Sequence, residues 1–94
     1  MNKFYDTSSL LLMEDFTEPI IISSITLMEL EDIKSSPRKD EELRAAARHL
    51  LRLFDNNEIE HEIVIYNNKM LKPIEKTFIE INNDVKIIAT ALYY

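Results

Sequence analysis

The chain predicts a three-layer α/β fold, with helices on both faces of a short parallel sheet and right-handed crossovers between strands. Three observations carry that prediction. Short apolar runs alternate with longer segments of helical periodicity. Ile20, Ile21 and Ile22 form an unbroken β-branched run between Pro19 and the pair Ser23-Ser24, the pattern of a strand buried on both faces. Leu43, Ala46, Ala47, Leu50, Leu51 and Phe54 recur as one apolar stripe, the mark of an amphipathic helix.

Taken in order, Lys3-Phe4-Tyr5 predicts a very short strand that stops at the polar turn Asp6-Thr7-Ser8-Ser9. Leu10, Leu11, Leu12 and Met13 then begin a helix capped by a serine, and residues 14–19 form a loop. After the isoleucine strand comes a helix capped by Ser24 or Thr26, with Leu27, Leu30 and Ile33 at helical spacing until Ser35-Ser36-Pro37 stops it. Asp40 opens the next helix, acids occupy its first turn, and Asp55-Asn56-Asn57 ends it. Residues 58–66 read as a strand, with Ile59, Ile63, Val64 and Ile65 apolar and Glu58, Glu60 and Glu62 on the parity opposite to the isoleucines. Asn67-Asn68-Lys69 is a loop. Pro73 suits the first turn of a helix containing Ile74, Phe78 and Ile81. Asn82-Asn83 precedes a last helix with Asp84 in its first turn and Val85, Ile88, Ala89 and Leu92 as its apolar positions.

Composition narrows the chemistry. At 94 residues the chain suits one small domain with a modest core. Without cysteine there is no disulfide, thiolate zinc site or cysteine nucleophile. Without glycine there is no phosphate-cradling loop, dinucleotide-binding turn or nucleophile elbow, each of which needs glycine where the backbone meets a ligand or takes positive φ. His49 and His61 cannot form a three-imidazole centre, so any metal is held by carboxylates. The formal charge of −6 argues against a protein that coats nucleic acid by bulk positive charge, but not against a metal-dependent nuclease. No run of about 18 apolar residues is present to span a membrane. Met1-Asn2-Lys3-Phe4-Tyr5-Asp6 lacks the apolar core of a signal peptide, so the expected setting is the cytoplasm.

In an open parallel sheet, functional residues collect at the carboxyl ends of strands and at the helix starts that follow. Three acids meet that rule: Asp6 ends the first strand, Glu29 follows the isoleucine strand, and Asp84 opens the last helix. Tyr5-Asp6-Thr7-Ser8-Ser9-Leu10-Leu11 resembles the opening of PIN-domain ribonucleases, a strand ending in Asp, then hydroxyl residues, then apolar ones. Ser23-Ser24-Ile25-Thr26-Leu27-Met28-Glu29-Leu30 is similar to that family's second acidic element. Asn83-Asp84-Val85-Lys86-Ile87-Ile88-Ala89-Thr90-Ala91-Leu92 is similar to its third, an Asn-Asp pair that begins an Ala-rich helix. The resemblance spans nearly the whole chain and implies the Rossmann-like PIN architecture. Members of the family usually continue into a fourth strand that adds a fourth acid and then a last strand. On that comparison the chain is expected to lack the C-terminal part of the domain.

The resemblance implies a Mg²⁺- or Mn²⁺-dependent endoribonuclease, with Asp6 and Asp84 as the principal ligands and Glu29 binding a second metal or orienting the water. Converging carboxylates repel one another unless a cation intervenes, and oxygen-only ligation suits those two ions. Thr7 or Ser8 would hold Asp6 or a substrate phosphate, and Asn83 would fix the turn before Asp84. RNA is the implied substrate, an antitoxin or other protein the implied partner. The rival reading is an inactive PIN-like module that dimerises or binds another chain through the first strand, which truncation would leave as an open edge.

Each acid alone has a plainer role: Asp6 in an Asx-type turn, Asp84 as a dipole-favoured helix acid, Glu29 as a solvated one. Only their joint pattern favours a site. Asp32, three residues beyond Glu29, is a reserve ligand. Glu58, Glu60 and Glu62 around His61 read as a solvated strand face, and His49 as a partly buried structural imidazole. Ser8 or Ser9 as a nucleophile lacks a supporting histidine spacing. Arg44, Arg48 and Arg52 line one side of the long helix, either as a ridge that contacts RNA or, as the charge pattern favours, as a solvated face paired with Asp40 and Glu41.

Overall fold

The structure is a computed structural model and describes residues 3–13, 16, 18–78 and 80–93. Among them are three strands, β1 (Lys3–Tyr5), β2 (Ile20–Ser23) and β3 (His61–Val64), and four α-helices, α1 (Thr7–Leu12), α2 (Ser24–Ser35), α3 (Glu41–Asp55) and α4 (Asn83–Tyr93). The strands form one parallel sheet in the order β1-β2-β3, with Tyr5 beside Ile22 and Ser23 beside Val64. The α/β class and the parallel sheet are as expected. The loop over residues 14–19 lies partly outside the described residues, since 14, 15 and 17 are not among them.

All four β2 residues are buried, which requires cover on both faces. Ile20 and Ile22 point into a cluster with Leu10 of α1, Leu30 of α2 and Ala47, Leu50, Leu51 and Phe54 of α3. Ser23, on the opposite parity, meets Thr90 of α4 at 3.1 Å. Helices therefore lie on both sides of the central strand.

Local chemistry explains where the elements start. Asp40 caps α3 by accepting from the Leu43 amide at 2.9 Å, as expected. The cap of α1 is Asp6 rather than a serine: its Oδ1 accepts the Ser9 amide at 2.8 Å, so the helix begins earlier than the leucine run suggests. The cap of α2 is Ser23, whose hydroxyl accepts the Ile25 amide, rather than Ser24 or Thr26. Ser24 instead accepts the Tyr66 amide at 2.9 Å and ties the exit of β3 to the start of α2. At the end of α3, Asn57 takes φ 55°, a left-handed conformation that asparagine tolerates where glycine is usual.

Three expectations are corrected. The third strand covers only His61–Val64, because β2 alone pairs with it and offers four residues. Ile59 is buried just before it, whereas Ile63 within it and Ile65 beyond it are exposed, so the predicted inside-outside alternation does not hold in the strand. Among the described residues no α-helix begins at Pro73 or contains Ile74 or Phe78; a 3₁₀ turn, Asn68–Leu71, leads into turns through residue 77. Asn67 accepts the Lys69 amide at 3.0 Å and starts a tight turn, and most later bonds reach back three residues, as Ile74 to Leu71 does at 3.0 Å. Ile74 and Phe78 are only half-buried and Ile81 is exposed, too little apolar cover to hold an α-helix there. The buried face of α4 is Val85, Ile87, Ala89 and Thr90, while Ile88 and Leu92 are 41% and 69% exposed.

Candidate functional site

β1 and α1 deliver the first acid. The strand ends at Tyr5, and the next residue is both helix cap and cleft wall: Asp6 is exposed, with Ser9 bonded to its carboxylate. Hydrogen bonding from Ser9, through its hydroxyl and then its amide, holds the Asp6 carboxyl below the ordinary carboxylate range, against a small opposing effect of burial. Asp6 is therefore a stable anion at neutral pH.

The second acid comes from α2. Thr7, buried directly after Asp6, donates its hydroxyl proton to Glu29 Oε1 at 2.6 Å, and Thr26 Oγ1 lies 3.3 Å from the same threonine oxygen. This bond links the start of α1 to the middle of α2, and fixes one oxygen of Glu29. Thr7 thus supports Glu29, not Asp6 as the sequence reading has it. The third acid, Asp84, sits in the first turn of α4. Its helix is capped by Asn82, whose Oδ1 accepts the Val85 amide at 3.0 Å, so the turn-fixing role expected of Asn83 falls to its neighbour.

Asp6, Glu29 and Asp84 line one cleft of about 390 Å³ together with Thr7 and Ser8. Asp6, Ser8 and Asp84 also line an adjoining cavity of about 190 Å³ with Ile87 and Ile88. Three elements distant in sequence thus bring their acids to one place. No group of three His, Asp or Glu side chains among the described residues stands close enough to form a ready-made ligand set. By donor type the cleft nonetheless fits a hard divalent cation, since every candidate ligand is an oxygen and Asp6 is held ionised.

The other candidates lie elsewhere. Asp32 is exposed and does not line the cleft. Arg44 and Arg48 both pair with Glu41, at 2.8 and 2.6 Å, while Asp40 is occupied as a cap. Their guanidinium groups, Arg48 most, hold the Glu41 carboxyl below its usual range. His61 packs on Phe54 with ring centroids 4.8 Å apart and places Nδ1 2.7 Å from the Ile59 carbonyl; it is structural. His49 is exposed rather than partly buried, at the rim of an apolar groove of about 310 Å³ between α1 and α3.

Sequence reasoning missed the rest of the acidic cleft's lining, Leu11, Leu12, Ile33, Leu43 and Lys39. Helical periodicity assigns Ile33 and Leu43 to the core, because an apolar stripe looks the same whether it meets another helix or a cleft. The available cue to Lys39 is its place in the turn after the helix that bears Glu29.

No curated protein and no solved structure matched the chain. No helix among the described residues is long and apolar enough to cross a membrane. A family model for the PIN domain does match, over residues 4–94. That match takes in all three acids of the cleft, and the chain belongs to the PIN-domain family, a nuclease-type class whose members generally bind RNA and depend on divalent metal.

Proposed function

We propose that the chain is a Mg²⁺- or Mn²⁺-dependent endoribonuclease that hydrolyses RNA phosphodiester bonds at the Asp6, Glu29 and Asp84 cleft. The observation that carries this reading is that those three carboxylates, from three separate parts of the chain, line one cleft in a PIN-family chain. Asp6 and Asp84, which share both adjoining cavities, would hold the cation. When bound, such a cation supplies Lewis-acid stabilisation of the charge that builds on the phosphodiester and lowers the pKa of a ligated water. Glu29, one oxygen of which is engaged by Thr7, would orient the attacking water. Ser8, exposed and on the wall of both cavities, offers a hydroxyl to a phosphate oxygen.

A 5′-labelled single-stranded RNA incubated with Mn²⁺ tests the reading. Wild type is expected to cut it, EDTA to stop the cutting, and Asp6→Asn or Asp84→Asn to lower the rate by at least about a hundredfold, as loss of a principal electrostatic group does. Equal rates for wild type and both variants would remove the acids from the mechanism.

One observation favours a second reading, an interaction module that pairs with a second copy of itself. β1 is the outer strand of the sheet, with Lys3 exposed, and Ile88 and Leu92 of α4 are exposed apolar side chains. An open strand edge is a template for pairing. Sedimentation velocity over a hundredfold concentration range decides it: a rising mass supports the module, and a constant monomer mass rejects it.

A further inference from the structure

The acidic cleft poses a problem for the substrate assigned to it. RNA is a polyanion, the chain carries a net charge of −6, and three carboxylates line the cleft. Attraction must come from something local. Lys39 is the one basic side chain among the residues lining the cleft. It is exposed and makes no ion pair among the described residues, whereas nearby cations are engaged: Lys34 with Glu31 at 2.9 Å, and Arg44 and Arg48 with Glu41. A lysine that lines the same cleft as three acids yet forms no ion pair among the described residues is free to take an anion that enters the cleft.

Much of the remaining lining is aliphatic. Leu11, Leu12, Ile33 and Leu43 belong to it, and Leu12 is 83% exposed at the end of α1. An apolar side chain held in water beside a charged site gains from any apolar surface that covers it. A nucleotide has the two parts this lining receives, an anionic phosphate and a flat base with an apolar face.

We infer that Lys39 is a substrate-binding residue that contacts an RNA phosphate while an unpaired base lies against Leu12 and its aliphatic neighbours, an assignment that rests on the RNA-cleaving reading above. The phosphate contact holds the strand across the cleft and the base contact sets its register, so the scissile bond is presented to the acids. A base locked in a duplex cannot reach the lining, so the site prefers unpaired segments.

Fluorescence anisotropy with a labelled single-stranded RNA in EDTA, where no cleavage occurs, tests this directly. Lys39→Ala is expected to weaken binding about five- to tenfold and to lower the slope of log affinity against log salt by about 0.7, the signature of one lost phosphate contact on a single strand. Lys39→Arg should retain most of the affinity. Lys72→Ala, which removes the same charge from an exposed turn outside the cleft, should change binding less than twofold. Leu12→Ser should weaken binding about threefold with the salt slope unchanged, since its contact is apolar. Equal losses in Lys39→Ala and Lys72→Ala would overturn the phosphate contact, and unaltered binding in Leu12→Ser would overturn the base contact. If Lys39 instead only offsets the acids, Lys39→Ala will tighten Mn²⁺ binding and leave RNA affinity as it was. Failure of the metal reading shows separately, as an absent Mn²⁺ response in wild type, because the RNA measurement is made without metal.

Discussion

Asp6 does two things with one carboxylate: it caps α1 through Ser9 and it faces the cleft. Substitution separates them. Asparagine caps as well as aspartate, so Asp6→Asn is expected to keep the helix start, while Asp6→Ala loses the acceptor and about 1 kcal/mol of stability. Charge can be isolated by pH. Because the folded carboxyl titrates below its unfolded value, the stabilisation due to its charge is full above the ordinary carboxylate range and disappears as pH falls through the lowered folded value. The gap in melting temperature between wild type and Asp6→Asn should therefore be present at pH 7 and close below about pH 4. A gap constant from pH 7 to 3 would mean that Ser9 does not favour the anion. At this scale the sequence is informative in a limited way: it places Asp6 at a strand's end, Asp84 at a helix start and Glu29 within a turn or two of the helix after the isoleucine strand. It could not show that Thr7 holds Glu29, because a hydrogen bond between residues 22 positions apart is made only by the fold.

Between elements, a buried hydroxyl chain sets how α4 sits on the sheet. Ser23 Oγ accepts the Ile25 amide, and Thr90 Oγ1 donates to the Lys86 carbonyl at 2.8 Å. The shared 3.1 Å bond therefore runs from the Ser23 hydroxyl to Thr90, and each buried oxygen is satisfied. Thr90→Val strands the Ser23 proton and should cost about 1–3 kcal/mol in urea unfolding; Ser23→Ala/Thr90→Val should cost clearly less than the sum of the single changes. Strict additivity would contradict the coupling. This chain also explains why the predicted face of α4 is rotated. Hydropathy gives Ile88 and Leu92 to the interior and Thr90 to solvent, but a threonine whose hydroxyl has two buried partners goes inside, and Ile87 turns in with it. Where strong local signals agreed with packing, at the isoleucine strand and the Asp40-capped helix, the elements form as read. Where the apolar stripe was sparse, after Pro73, tight turns replaced the helix.

Across the whole molecule, the sheet has β1 and β3 at its edges, and β2 alone is covered on both faces. The radius of gyration, 13.7 Å, exceeds the roughly 12 Å expected of a compact chain this long, and the extents of 36 × 35 × 18 Å describe a slab. Such a shape gathers strand ends along one rim, which is how acids from β1, α2 and α4 reach a common cleft. The fold class and the three acids were legible because both follow from element order in a parallel sheet. The rest of the cleft's lining was not, because Leu12, Ile33, Lys39 and Leu43 come from helix ends and a turn whose meeting no local pattern encodes.

The central claim is that Asp6 and Asp84 hold a divalent cation in the folded chain. Thermal melting of wild type, Asp6→Asn and Asp84→Asn against rising Mn²⁺ tests it most directly. A ligand of the native state at a hundredfold excess over its Kd stabilises by about 2.7 kcal/mol, which for a domain of this size is a rise of roughly 10 °C or more. That rise is expected in wild type, with each variant responding weakly to Mn²⁺ relative to its own metal-free melting temperature. A wild-type Tm that does not move with Mn²⁺, or variants that rise in step with wild type, would contradict the claim.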